Sequence, residues 1–77
     1  MNTVELNVAM MRKGTNANEM ARLIRKSHVS FNKKRAGLVP FDAKEICEMS
    51  NALSLNIDQV NEIFFDGLLQ VGKFNTN

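Results

Sequence analysis

The chain has 77 residues, of which 44% are hydrophobic, without Trp or Tyr; a domain of this length buries roughly 60% of the surface its unfolded chain exposes, so one globular core is expected and no second domain. Cys47 is the only cysteine, which excludes an internal disulfide, and no Cys or His cluster has metal-ligand spacing, so no cofactor is expected; a start with Glu5 and a basic pair after its apolar run is unlike a signal peptide, no run approaches the ~20 apolar residues that span a bilayer, and a cytoplasmic protein with no membrane partner is the expectation. The net charge of +2 hides a division: residues 12–35 hold eight Lys and Arg against Glu19 alone, a local +7, while residues 36–77 hold two lysines against six acids, −4, which makes a polyanion the expected partner of the basic stretch.

The elements follow in chain order. A first helix starts after Asn2, which pairs with Glu5 as a capping box; Val4, Val8 and Met11 form its apolar stripe, and Gly14 closes it after Arg12 and Lys13. A second runs from Asn16, paired with Glu19, to Ile24, with Met20, Leu23 and Ile24 as its stripe. Ser27 and Gly37 bracket a short, mostly polar third helix, in which Phe31 anchors one side to the core while His28, Val29, Asn32 and Lys33 share another face. Ser27 has Ser30, not an acid, three residues on. Either that helix start is kept open for an external anion, or no acid was ever selected there.

A fourth helix follows Asp42, paired with Glu45, and buries Ile46, Met49 and Leu53, with Phe41 as a hydrophobic staple on Ile46. A fifth follows Asn56, paired with Gln59; it buries Val60, Ile63 and Phe64, has Leu55 as its staple on Val60, and ends at Gly67. The tail from Leu68 to Asn77 mixes a weak strand alternation with a continuation of the helical stripe, and a short strand or an arm in a dimer contact are both open. The chain thus divides into a helix-turn-helix domain over 1–67, with the motif itself at 16–36, and a tail over 68–77.

Two helices separated only by Arg25 and Lys26 are what a helix-turn-helix requires. The stretch GTNANEMARLIRKSHVSFNKKRAG resembles the helix-turn-helix of the Cro and lambda-repressor-like family, common among phage repressors and Cro proteins; Glu19, Met20, Ala21, Ile24, Ser27, Phe31 and Gly37 carry the likeness. EICEMSNALSLNIDQVNEIFF resembles the family's fourth and fifth helices, so the likeness covers residues 4 to 65. It departs at Arg25, where the family usually has Gly, at Lys26, normally aliphatic, at Ala17, usually Gln, and at Arg35 and Ala36.

The resemblance implies an all-α, compact five-helix fold of the lambda-repressor-like type. It also implies a function: a dimeric, sequence-specific regulator of transcription that binds double-stranded DNA as a repressor or Cro-like protein. The recognition helix, 28–36, would lie in the major groove with His28, Val29, Asn32 and Lys33 at base edges. Asn32 suits adenine, Lys33 guanine, Val29 a thymine methyl, and His28 a guanine or a phosphate. Asn16, Arg25, Lys26, Ser27 and Lys34 are the expected phosphate contacts, the first and fourth through backbone N–H groups. The departures keep a second class open, a protein-binding module such as an antirepressor that docks on a partner repressor. An enzyme is not expected, since nothing resembles a nucleophile with its base, a phosphate loop or a metal cage.

Overall fold

Each helix begins where a short polar side chain meets the free N–H groups of the first turn. The computed structural model describes residues 1–69, and among them lie five helices and no strand: α1 (Thr3–Arg12), α2 (Ala17–Leu23), α3 (His28–Arg35), α4 (Ala43–Ala52) and α5 (Ile57–Phe64). The strand or arm expected of the tail falls almost wholly outside the described residues. All five expected N-caps are made, by Asn2, Asn16, Ser27, Asp42 and Asn56, with cap distances of 2.8 to 3.1 Å.

The capping boxes close fully only at Asp42 and Asn56, where Glu45 and Gln59 reach back to the cap's own N–H at 2.9 Å. At Asn2 the box stays half made for a tertiary reason: its N–H donates to the carbonyl of Ile63 at 2.7 Å, which fastens the start of α1 to α5. At Asn16 the return contact comes from the amide, whose Nδ2 donates to Glu19 Oε1 at 2.9 Å.

Three connections repeat one geometry. After α1, α2 and α4 a C-cap residue near φ −90° and ψ 0° (Lys13, Ile24, Leu53) precedes a residue at positive φ (Gly14, Arg25, Ser54), then one residue, then the next N-cap. In each, paired bonds close the helix, as from the Lys26 N–H to the Ala21 carbonyl at 2.9 Å and from the Arg25 N–H to the Arg22 carbonyl at 3.1 Å. These are Schellman motifs.

The helices enclose one core, built on Leu6, Met10, Met20, Ile24, Phe31, Met49, Leu53 and Ile63. α2 packs on α3 and α4, and α5 packs on α1 and α4. Phe41, from the α3–α4 connection, lies between Phe31 and Phe64 with ring centroids 5.9 Å from each, tilted against one and edge-on to the other. Such pairs add about 0.5–1.5 kcal/mol each beyond the area they bury.

The stripe expected on α1 is corrected. Leu6, Ala9 and Met10 face the core, while Val4 and Met11 are 69% and 79% exposed. Both sets have helical spacing, so periodicity does not choose between them. The choice falls to two anchors at the start of α1: the Asn2 bond to α5, and the Thr3 hydroxyl, which donates to the Arg35 carbonyl at the end of α3 at 2.6 Å.

α3 is mostly polar and is held from its inner side by Phe31, fully buried, and by Lys34, 9% exposed. The Lys34 ammonium lies 2.7 Å from both carboxylate oxygens of Glu45, itself 3% exposed. Removing one member of a buried pair strands the other charge and typically costs about 3–5 kcal/mol. Lys34→Met is therefore expected to lower unfolding stability by about 3 kcal/mol, and adding Glu45→Gln, which keeps the capping acceptor, to restore more than half of it. Urea titration of the single and double variants checks this, and a double variant no more stable than Lys34→Met would contradict it.

Candidate functional site

The burial pattern of α3 divides its side chains by position. At about 100° of rotation per residue, Phe31 and Lys34 turn inward together, leaving His28, Val29 and Lys33 on the outer face. His28 and Lys33 are exposed, Val29 is 64% exposed, and Asn32 is half-buried at the edge of the same face. The structure thus brings together the four residues expected to share a surface. A valine left open to solvent on a short polar helix is apolar area with no partner inside the domain.

The start of α3 is the least acidic of the five. Glu5, Glu19, Glu45 and Asp58 occupy the first turns of the other helices, whereas α3 has no acid there and three cations in its last turn. The Ser27 hydroxyl accepts from the Ser30 N–H at 3.0 Å, and the Ser27 carbonyl from the Phe31 N–H at 2.9 Å. The N–H groups of His28 and Val29 point out of the open end, where the helix dipole favours an anion.

Arg25 and Lys26 flank this end and are exposed. Asp42, Glu48 and Lys44 line the same shallow recess, but among the described residues the only side-chain ion pair is Lys34 with Glu45. The cations of the α2–α3 turn are thus in no ion pair among the described residues.

One expected contact changes. Lys34 is not a phosphate contact: its ammonium is enclosed with Glu45 beneath α3, and the pairing in sequence of Lys33 with Lys34 hides the fact that one points out and the other in. Asn16 is exposed, and its side-chain amide is bonded at both ends to Glu19.

Arg35 was not expected to take part in the site. Its guanidinium lies 5.6 Å from the centroid of the Phe31 ring, donates to Asn32 Oδ1 at 2.7 Å, and reaches Asn7 Oδ1 on α1 at 3.4 Å. The signal was present as the spacings Phe31/Arg35 and Asn32/Arg35, four and three residues, which set neighbours on one helix surface.

No family model, curated protein or solved structure matches the chain. The site must be interpreted from its own chemistry.

Arg25 sits at φ 59°, in the left-handed region, which disfavours any side chain with a Cβ. The pair of bonds that closes α2 leaves it no other conformation. Arg25→Gly is expected to raise unfolding stability by about 1 kcal/mol, the relief of strain outweighing the added freedom of the unfolded chain. Thermal and urea unfolding measure this, and a loss of stability would show that the Arg25 side chain contributes more to the fold than its exposure indicates.

Proposed function

We propose that the protein is a sequence-specific DNA-binding regulator of the Cro and lambda-repressor-like kind, in which α3 enters the major groove. The observation that carries this reading is the outer face of α3, where His28, Val29, Asn32 and Lys33 stand together beside the exposed cations Arg25 and Lys26. A groove-reading helix needs polar groups and a small apolar group on one face, and cations at its border to meet phosphates. The acid-free first turn of α3 adds N–H groups for a phosphate at the point where the helix meets the backbone.

The roles divide accordingly. Lys33, Asn32 and Val29 address base edges, His28 addresses a base or the adjacent phosphate, and Arg25, Lys26 and the N–H groups beyond Ser27 set the register. With about five phosphates neutralised, the logarithm of affinity falls against log salt with a slope near −4.5.

A protein contact belongs to the same reading. An open groove of ≈ 550 Å³ is lined mainly by Val39, Pro40, Phe41, Ile46, Phe64 and Phe65, with Met1, Lys34 and Gly37 completing its wall. Leu38 beside it is 76% exposed, and a largely apolar recess of this kind suits a protein partner. A second copy seated there makes a dimer that binds half-sites about 10 base pairs apart. A partner repressor seated there instead gives the second reading, an antirepressor.

The deciding experiment selects duplexes from a random DNA pool at several salt concentrations, with sedimentation of the protein alone and on DNA. A two-fold-related consensus is expected, with Asn32→Ala and Lys33→Ala each costing about 1–3 kcal/mol at one base pair, and with Lys26→Ala reducing the salt slope by about 0.9. Binding without sequence preference, together with tight capture of a repressor, would instead support the antirepressor.

A further inference from the structure

A side-chain amide at a helix surface has two orientations, related by a half-turn that exchanges its carbonyl oxygen and its NH2 group. In Asn32 a neighbour of fixed chemistry decides between them. Arg35 carries donors only, and its Nη2 lies 2.7 Å from Asn32 Oδ1; the reversed amide would set NH2 against guanidinium. Arg35 is in turn held on three sides, by the face of Phe31 at 5.6 Å, by Asn7 Oδ1 at 3.4 Å, and by the Thr3 hydroxyl on its own backbone carbonyl at 2.6 Å.

We infer that Arg35 is the positioning residue for Asn32, holding its carbonyl oxygen against the domain so that the NH2 group faces the DNA and selects guanine. The inference rests on the DNA-binding reading of α3. It replaces adenine as the base expected for Asn32, because bidentate adenine recognition uses the oxygen and the nitrogen of the amide side by side. With the oxygen bound to Arg35, the outward group is a donor. Guanine offers it two acceptors, O6 and N7, whereas adenine sets its N6 donor beside N7. The positive charge on the oxygen polarises the amide and strengthens the outward N–H donors.

The test is duplex selection with the full chain and three variants, the base pair of Asn32 being the one whose preference Asn32→Ala relaxes. The wild type is expected to select guanine there. Arg35→Met, which keeps a hydrophobic stem over Phe31 but has no donor, is expected to reduce the preference for guanine over adenine about tenfold, while circular dichroism shows it still folded. Asn32→Asp, which keeps Arg35 as its partner and has no N–H to offer, is expected to abolish the guanine preference. It decides the matter should Arg35→Met fail to fold.

Adenine at that pair in the wild type overturns the inference. So does a guanine preference unmoved in a folded Arg35→Met or retained in Asn32→Asp. In each of these cases a consensus is still recovered and DNA binding stands; absence of any consensus in the wild type removes the DNA-binding reading itself, and the inference with it.

Discussion

The Lys34 ammonium and the Glu45 carboxylate meet at 2.7 Å beneath α3, both nearly out of water, and the same carboxylate accepts the Asp42 N–H that opens α4. One side chain therefore sets the beginning of α4 and the rotation of α3 about its axis. An unpaired charge in that position is costly, so α3 cannot turn to expose Lys34 without leaving Glu45 unmatched. With Phe31 buried one turn earlier, the helix has a single allowed rotation. The outward placement of Val29 and Lys33 follows from it, even though so short and polar a helix has little stability alone.

The three like connections, after α1, α2 and α4, explain how a small domain turns its chain with few residues. The same bonds recur around Gly14, Arg25 and Ser54, at φ 64°, 59° and 54°. Positive φ at Arg25 is thus a property of the connection rather than a mark of the functional surface, since Ser54 shows it far from α3 in sequence. What distinguishes Arg25 is its side chain: a cation at a position where glycine relieves strain is consistent with selection for charge over stability.

The electrostatic pattern gains meaning from the same geometry. Of the cations in residues 12–35, Lys34 lies inside the fold, Arg35 lies over Phe31 as a bridge to α1, and Arg25, Lys26 and Lys33 are in no ion pair among the described residues, around one end and one face of α3. Half of the six acids of the second part, Asp42, Glu45 and Asp58, serve as a cap or first-turn charges. No helix among the described residues is long and apolar enough to cross a membrane.

Short-range chemistry was legible in the sequence by itself. The five N-caps, the helices they start, the turn at Gly14 and the inward Phe31 all depend on neighbours within a few residues, which the order of amino acids states directly. The outer face of α3 was legible for the same reason, because positions on one helix are related by a fixed rotation. Tertiary structure alone decided which of two helically spaced stripes on α1 is buried, that Asn2 donates its N–H to Ile63 rather than to Glu5, and that Lys34 is a core residue while Lys33 is a surface one. Each of these turns on a partner in another helix: Glu45, Ile63 or the carbonyl of Arg35. Spacing along a chain records which side chains share a face, but the direction of that face is set by what packs against it.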